Sequence, residues 1–571
     1  MSQVKSVRET FCRSCFAFLL CLLAGVSVAS AQVDLARLQA IQARTQRQLK
    51  NYNSIPAPLR QRMSGVSDLA HLAGMLRAMP PTLLRPAASN AAPRLATASP
   101  AAHESESGGV TRVSDPSMDL QYSAMAAFTQ SGTSTAWCGE RVVVGFNDTG
   151  SALQTLLAGT GGLSFTGIAL STNRGATFTD LGPVPAGSNF SNRQYGDPVV
   201  VCTSPSSFYY AQLFASEDDA GYSISSISLN TSTDGGETWS DPLPTVNKDG
   251  SQHQVDKPWL AADPNNPKRL YISYADFDYS YTDPACPNTA RTAIEVIASN
   301  DSGVTWGPPA VIDAVCGFAD SVQGSHVVVG PAGRIDVAWL HFTNFPYGGR
   351  EIRFTSYAPE QLPKGYTVID TVVAGGDGIF LQGGFNDFLG LDMAVDRSHT
   401  NRNGTLYVTW DDGRNKTILD FAGSTGLYSF DDVLLRISTD GGATWGPPPI
   451  QINSDHQPAN GYGHDHYQPG IAVDSAGKLA ACWYDRRNDD SNFVIERYCG
   501  TSANGLTWTN HRIPVPGFAP VHTTDNLLRS AYMGDYDVVA TDFLQTSPGF
   551  VSAFQVMNDK ANPDVKALSF K

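Results

Sequence analysis

Most of the chain alternates short apolar runs with polar turns, a pattern typical of strands rather than helices. Residues 259–263 and 269–274 form one such pair of runs, and residues 470–474 and 479–484 form another. Each pair precedes further short runs joined by Gly-rich turns, so four antiparallel strands recur in every unit. The pattern predicts an all-β region from about Asp119 to the C-terminus.

Two different patterns precede Asp119. Apolar residues recur at helical spacing within residues 32–79, which predicts two short amphipathic helices separated by Pro56 and Pro58. Residues 80–118 are rich in Pro, Ala and Ser, offer little to bury, and are predicted to be a linker. The expected organisation is therefore a helical segment at 32–79, a linker at 80–118 and a globular domain at 119–571.

The first 31 residues have the features of a secretory signal peptide. Lys5, Arg8 and Arg13 precede an apolar run at residues 16–28, and small residues follow as far as Ala31, where cleavage is expected. The run is too short for a retained membrane helix, and no membrane span is expected in the mature chain. We therefore expect a secreted or periplasmic protein, and a monomer.

Five similar octapeptides recur in the strand-rich region, at residues 171–178, 232–239, 299–306, 438–445 and 501–508. Three of them read S-x-D-x-G-x-T-W. Their starts lie 61, 67, 139 and 63 residues apart, and since 139 is about two periods, one unit near residues 353–366 has lost the motif. This period, with several strands per unit, predicts a β-propeller.

The octapeptides resemble the Asp-box of the sialidase superfamily, over roughly residues 120–560. In that motif the Ser and Asp side chains bond the amides of a β-turn between the outer two strands of a blade. Gly supplies a positive φ and Trp packs inward. The resemblance therefore gives the motif residues a structural role and implies no chemistry for them.

Strand pairs indicate where each blade starts. Six full blades are predicted to begin near Gln121, Asp197, Lys257, His326, Leu391 and Gln468. A further pair, at 536–541 and 549–556, favours seven blades over the six of true sialidases. The last blade would take residues 565–570 as its third strand and 109–113 as its fourth. A six-bladed ring with a C-terminal appendage is the alternative.

The net charge narrows the class of partner. It is −15 for the whole chain and becomes −17 once the three basic groups and Glu9 of the signal peptide are removed. Nucleic acid and anionic membranes are therefore poor partners. A carbohydrate or glycoconjugate is the expected ligand.

Six cysteines remain in the mature chain, and none of them is in C-x-x-C spacing, which predicts disulfides rather than structural zinc. Placing each cysteine on a strand or loop of the propeller predicts three pairs: Cys482 with Cys499, Cys286 with Cys316, and Cys138 with Cys202.

Antiparallel strands bring the starts of the innermost strands and the ends of the second strands to one face of the ring, here called the mouth. The octapeptide turns lie on the other face. Polar residues from many blades gather at the mouth, which is the layout of a polar ligand site. The candidate ligand-binding residues are Arg414, Arg486, Arg193, Asp148, Asp197, Asp276, His326 and His466.

The resemblance implies sialidase chemistry, which uses arginines to clamp a sugar carboxylate, a tyrosine nucleophile paired with a glutamate, and an aspartate acid/base. Arg414 and Arg486 occupy matching positions in successive blades, with Arg193, Arg487 or Arg529 as a third clamp residue. No Arg-Ile-Pro opens the first blade, however, which argues against sialic acid as the substrate.

Tyrosines and aspartates of the mouth supply the candidate catalytic groups. Tyr532 and Tyr536 are candidate nucleophiles, although no glutamate is placed convincingly beside either. The candidate acids or hydrogen-bonding groups are Asp148, Asp256, Asp276 and Asp535.

Seven-bladed Asp-box xyloglucanases offer a second precedent, in which two aspartates act as acid and base on a neutral glycan. Asp256 with Asp485 or Asp535 would fill these roles, and the separation of the carboxylates would predict the stereochemistry. His464 and His466 are spaced as metal ligands, but a hydrogen-bonded loop is favoured, so neither a metal nor a cofactor is expected.

The sequence therefore predicts an exported, sialidase-like propeller that hydrolyses glycosidic bonds at its mouth. The alternative is a non-catalytic propeller that binds glycan or protein. The two differ in whether two carboxylates, or a tyrosine with a base, lie close together there.

Overall fold

A computed structural model describes residues 33–60, 84–85 and 109–571, apart from gaps at 123–124, 159–160, 219, 345–347, 378–379, 387–389, 420, 422–425, 447, 521–524, 526, 528–531 and 558–561. The predicted signal peptide, most of the predicted linker and Arg529 lie outside the described residues.

Three helices occur in the described part of the chain. Helix α1 (Leu35–Ser54) lies in the N-terminal segment, where helical spacing predicted a helix. The short helix α2 (Ala57–Arg60) contains Pro58, which was expected to lie between two helices, and most of the second predicted helix lies outside the described residues. Helix α3 (Thr149–Ala158) connects the second and third strands of the first blade. None of the described helices combines the length and the apolar character needed to cross a membrane.

Seven blades, each a sheet of four antiparallel strands, make up a β-propeller, and the short strand Leu163–Ser164 adds in parallel to the inner strand of blade 2. Blade 1 consists of Gln130–Cys138, Arg141–Asp148, Thr166–Ser171 and Thr179–Pro183. Blade 2 consists of Arg193–Ser204, Ser207–Glu217, Ser223–Ser232 and Leu243–Asp249. Blade 3 consists of His253–Asp263, Asn266–Asp278, Arg291–Ser299 and Ala310–Cys316. Blade 4 consists of Ser321–Val329, Ile335–Phe342, Arg350–Tyr357 and Thr367–Val372. Blade 5 consists of Leu391–Val395, Leu406–Leu419, Leu427–Ser438 and Ile450–Gln451. Blade 6 consists of His466–Val473, Leu479–Asp485, Glu496–Ser502 and Thr509–Arg512.

Blade 7 closes the ring with strands from both ends of the propeller. Val539–Ala540, Phe550–Met557 and Pro563–Phe570 come from the C-terminal end, and Val110–Arg112 pairs with the last of them as the outer strand. The predicted seven blades and this closure are confirmed, and the six-bladed alternative is wrong.

The predicted start of blade 1 is also wrong. Gln121 belongs to a separate hairpin of Leu120–Tyr122 with Met125–Ala127, and the innermost strand begins at Gln130. Both stretches have short strand-like runs, and only their pairing partners distinguish them.

The apolar core lies between neighbouring blades. One cluster joins Val199 and Ala211 of blade 2 to Leu260 and Ile272 of blade 3, with similar clusters between other blade pairs. The seven innermost strands surround a central cavity of about 200 Å³. The ring therefore consists of sheets packed face to face, with the innermost strand of each sheet lining a common axis.

Each octapeptide forms a turn between the third and outer strands of a blade. In the blade 2 copy, Ser232 Oγ accepts a hydrogen bond from the Gly236 amide at 2.8 Å, and Asp234 Oδ1 accepts one from the Thr238 amide at 3.0 Å. Hydrogen bonds from the Thr238 hydroxyl and from the Thr238 amide lower the pKa of Asp234 to about 2. Trp239 Nε1 donates to the Gly236 carbonyl oxygen at 3.1 Å, so the motif is a self-contained turn.

Three disulfides occur in the described chain: Cys138–Cys202, Cys286–Cys316 and Cys482–Cys499. They are the same pairs that the strand assignment predicted. The first links blades 1 and 2, whereas the other two lie within blades 3 and 6.

We expect Trp239→Ala to destabilise the protein by about 2–3 kcal/mol, below the 3–5 kcal/mol typical of a fully buried tryptophan, because Trp239 is only partly buried. Its ring packs edge-on against Tyr210 at a centroid distance of 5.9 Å. Denaturant unfolding tests this, with Leu506→Ala at an exposed turn position as the control. Equal stabilities for the two variants would contradict the packing role.

Candidate functional site

Three residues at the mouth end of the innermost strands adopt a left-handed backbone conformation. They are Asp197, Lys257 and Gln468, with φ of 53°, 50° and 50°, and each lies where the strand register shifts. Gly132 and Gly324 occupy the comparable shifts of blades 1 and 4. Such a conformation costs roughly 1–3 kcal/mol for a residue with a side chain. Its recurrence around the rim makes these positions candidates for function.

Lys257 lies at the centre of the polar contacts on this rim. Its Nζ donates to Asp535 Oδ2 at 2.6 Å and lies 3.6 Å from Asp197 Oδ2, so it links blades 2, 3 and 7. It also sits over the Tyr536 ring, 5.0 Å from the centroid. Burial lowers the pKa of Lys257, but the carboxylates of Asp197 and Asp535 outweigh burial and raise it above its usual value. Lys257 is therefore a buried, charged residue.

The two candidate tyrosines are in different situations. The Tyr532 hydroxyl donates to Asp535 Oδ2 at 3.4 Å, whereas that of Tyr536 donates to the Pro198 carbonyl oxygen at 2.8 Å. Burial, followed by the nearby carboxylates, raises the pKa of both phenols well above its usual value. Both tyrosines are neutral, and only Tyr532 has a carboxylate within hydrogen-bond reach.

Asp256 completes the group. It is buried, and its Oδ2 accepts a hydrogen bond from Gln323 Nε2 at 2.8 Å. Its charge also acts on both Lys257 and Tyr532. We call the set of six residues the central cluster: Asp197, Asp256, Lys257, Tyr532, Asp535 and Tyr536.

A small cavity of about 10 Å³ adjoins the central cluster. His326 forms part of its wall, stacked on Trp259 at a centroid distance of 3.7 Å, with its Nδ1 3.1 Å from Asp392 Oδ1. The volume is close to that of a single water molecule. The cavity is therefore too small to admit a sugar without a rearrangement of its walls.

Asp485 and His466 belong to a separate ion-pair network in blade 6. Asp485 Oδ2 accepts hydrogen bonds from Trp483 Nε1 at 2.7 Å and Arg487 Nη2 at 2.6 Å, and His466 Nε2 lies 3.0 Å from Asp455 Oδ2. Asp455, His466 and Asp485 have atoms close enough to hold a metal ion, but Arg487 already donates to both carboxylates. The network neutralises itself, so its residues are not available to a ligand at the mouth.

The two arginines predicted to form the clamp differ in exposure. Arg486 is fully buried and donates to Asp465 Oδ2 at 3.1 Å, so its guanidinium is not exposed at the mouth. Arg414 is partly exposed, but its Nη2 donates to Asp412 Oδ2 at 2.6 Å and to Asp370 Oδ1 at 3.2 Å. The structure matches Arg414 with Arg487 instead: each lies four residues after a tryptophan and donates to the aspartate that also accepts a hydrogen bond from that tryptophan's Nε1.

Two other predicted ligand residues have structural partners. Asp148 caps helix α3, accepting hydrogen bonds from the amides of Gly150 at 2.9 Å and Ser151 at 3.1 Å. Asp276 is buried and accepts one from Lys248 Nζ at 3.0 Å, with His253 Nδ1 also 3.0 Å away. Lys248 comes from blade 2, so Asp276 fastens two blades together. Neither carboxylate is placed in the central cluster.

Sequence reasoning missed Lys257 and Gln468, which named blade starts but were not proposed for chemistry. The available signal was a proline after each left-handed residue, at Pro198, Pro258 and Pro469. Proline favours an extended conformation in the residue before it. This local rule therefore predicts the opposite of the left-handed conformation that the three residues adopt.

No protein-family model matches the chain, and no curated protein is similar to it in sequence. Among solved structures, the α-L-arabinofuranosidase of Fusarium graminearum shares 11% identity at a TM-score of 0.41, covering 81% of this chain and 97% of that one. The α-L-arabinanase of Penicillium chrysogenum shares 14% at 0.40, over 66% and 93%. The Hadza microbial sialidase Hz136 shares 12% at 0.37, over 71% and 73%. Similarities this weak carry no argument about chemistry, and the fold rests on the topology of the chain itself.

We expect Arg486→Met to destabilise the protein by about 3–5 kcal/mol, because it leaves the buried Asp465 carboxylate without its cation. Arg414→Met should cost about 1 kcal/mol or less, because Arg414 is itself exposed and the buried Asp412 keeps its hydrogen bond from Trp410 Nε1 at 2.9 Å. Urea unfolding of the two variants checks the difference. Similar small losses would contradict the buried pair.

We expect the free energy of unfolding to fall at alkaline pH, because His466 loses its proton there. Burial lowers its pKa, but Asp485 and Asp455 more than compensate and raise it to about 9. Because the folded-state pKa lies above the unfolded value, the contribution is complete below about pH 6.5 and is lost as the pH rises through 9. Unfolding free energies at pH 6.5 and 9.5 should differ more in the wild type than in His466→Gln, by on the order of 2 kcal/mol. Parallel pH profiles would refute a charged His466.

Proposed function

We propose that the chain is an exported glycoside hydrolase acting on a neutral glycan at the mouth of the propeller. The supporting observation is the central cluster, in which Asp535 contacts both Tyr532 and Lys257 while Asp256 lies within electrostatic range. A polar site that combines carboxylates with a tyrosine has the groups needed for glycoside hydrolysis.

The charge of the cluster favours a neutral substrate. Lys257 is its only cation among the described residues, against three carboxylates, and the excess negative charge repels an anionic sugar. Neither Arg414 nor Arg486 has a guanidinium free of carboxylate partners. Sugar hydroxyls, which can donate to carboxylates, suit this site better than a sugar carboxylate does.

Individual roles follow from exposure and contacts. The Asp535 side chain is 11% exposed and holds two hydrogen bonds, so we assign it the base that activates the nucleophile. Asp256, held by the Gln323 amide, is assigned the acid. The raised pKa of Tyr532 disfavours its phenolate, so water is assigned as the nucleophile and Tyr532 positions Asp535. Asp485, engaged by Arg487, has no catalytic role in this proposal.

A non-catalytic, glycan-binding propeller is the second candidate. It is favoured by the ion pair at 2.6 Å, which occupies an oxygen of Asp535, and by the small volume of the adjoining cavity. Catalysis would require a substrate to open the mouth and to displace part of these contacts.

Export is proposed from the sequence and from the disulfides. Residues 1–31 are assigned to a cleaved signal peptide and residues 80–108 to a linker, because Val110–Arg112 already belongs to blade 7 of the propeller. Three disulfides suit an oxidising compartment such as the periplasm or the exterior of the cell.

The purified mature protein should release reducing ends from at least one member of a panel of neutral oligosaccharides, including xyloglucan and arabinan fragments. Asp535→Asn should lower kcat by about 10²–10⁴-fold, because it removes the base without changing the shape of the side chain. Asp490→Asn, at an exposed position of a blade 6 loop, is the matched control and should retain full activity.

Saturable glycan binding without turnover, weakened by Asp535→Asn, would favour the binding propeller instead. Cleavage restricted to sialosides would contradict the assignment of a neutral substrate.

A further inference from the structure

Arg193, the first residue of the blade 2 inner strand, is a buried cation with half of its guanidinium unused. It is 0% exposed, and its Nη1 donates to the carbonyl oxygens of Phe190 and Asn192, both at 2.7 Å. Its Nε and Nη2 have no hydrogen-bond partner among the described residues. These two nitrogens form the edge of a guanidinium that receives a carboxylate or another oxyanion in a bidentate manner.

Nearby, Arg47 of helix α1 shows how that edge is normally used. Its Nε and Nη2 donate to the two carboxylate oxygens of Glu217 at 3.0 and 2.7 Å. Arg193 pairs in register with Ala215, two residues before Glu217, so Arg193 and Glu217 lie on the same face of the blade 2 sheet. Glu217 is thus already taken by the helix, and the equivalent edge of Arg193 is left without an acceptor.

Helix α1 supplies further donors over this face. The Tyr195 hydroxyl, two residues after Arg193, donates to Gln48 Oε1 at 3.1 Å, and Arg44 Nε lies 3.8 Å from Glu217 Oε2. Gln48 Nε2 and Arg44 Nη1 are buried, and neither has a hydrogen-bond partner within the described chain. Arg44 and Gln48 are four residues apart, so both lie on the helix side that faces the blade.

The local charge is opposite to that of the protein as a whole. Three arginines surround one carboxylate, that of Glu217, in a chain with a net charge of −15. Burial, together with the neighbouring Arg44, lowers the pKa of Arg193 to about 10, although Tyr195 and Glu217 act to raise it. Buried donors without acceptors are unfavourable, and an anion would relieve them.

We infer that the space between helix α1 and blade 2 binds a small oxyanion, bidentate on Arg193 Nε and Nη2 and closed over by Arg44 and Gln48. The ligand chemistry is that of a carboxylate or sulfate, either as a free ion or as the acidic group of a sugar. Because the blade and the helix each supply donors, the bound anion holds helix α1 on the mouth face. This site is separate from the central cluster and does not depend on the proposed hydrolase activity.

Thermal unfolding of the mature protein tests the site. Acetate, sulfate or glucuronate is titrated against chloride at constant ionic strength. The wild type should show a saturable rise in Tm, because an anion that binds only the folded state stabilises it by mass action. Arg193→Met should abolish the saturable part, and Arg44→Met should raise the half-saturating concentration tenfold or more. Arg512→Met, an exposed arginine of blade 6, should behave as the wild type.

A second readout keeps the inference testable if Arg193→Met does not fold. Tryptic cleavage after Lys50, an exposed residue of helix α1, should slow several-fold in wild-type protein when the anion binds, and less so in Arg44→Met. Tighter binding of glucuronate than of acetate or sulfate assigns the site to an acidic sugar, whereas equal or weaker binding assigns it to a free ion. A Tm response that is unsaturated, or equal in the wild type, Arg44→Met and Arg512→Met, overturns the site and leaves Arg193 solvated by buried water.

Discussion

The pairing of Val110–Arg112 with Pro563–Phe570 is the contact on which the rest of the molecule depends. It supplies the outer strand of blade 7 from the opposite end of the domain, so the sheets form a closed ring instead of an open array with two exposed edges. Once the ring is closed, seven inner strands must surround one axis. The convergence of polar side chains at the mouth follows from that geometry rather than from any local motif.

The carboxylates that meet at the mouth repel one another, and cations of the same rim offset this repulsion. Carboxylates from several blades are brought together out of water, where like charges repel and desolvation is unfavourable. At the axis, Lys257 offsets this repulsion by contacting Asp197 and Asp535. In blade 6, Arg487 contacts Asp485 and Arg486 contacts Asp465. In the central cluster three carboxylates face the single charge of Lys257, so negative charge in excess of that cation is left to interact with a ligand.

Helix α1 adds a layer to the mouth that the propeller alone does not have. Arg47 and Gln48 attach it to blade 2, and Tyr52 and Ile55 pack against the apolar cluster that includes residues of blades 3 and 4. The helix therefore rests on the same face as the central cluster and its small cavity. The unused donors of Arg193 lie where this helix meets blade 2.

The sequence by itself determined the repeat, the number of blades, the closure by both chain ends and the cysteine pairs, because these depend on strand periodicity and on which strand ends share a face. It also brought Asp256, Asp535 and Tyr532 to one face. The tertiary structure decided which charges pair. Arg486 turned out to be buried against Asp465, Asp148 to cap a helix, and Asp276 to bridge two blades. Lys257 took the central position through a left-handed backbone conformation that its following proline argues against. Partner choice among buried ions depends on distances of a few ångströms between blades far apart in the sequence, and a pattern of residues along one strand contains no record of those distances.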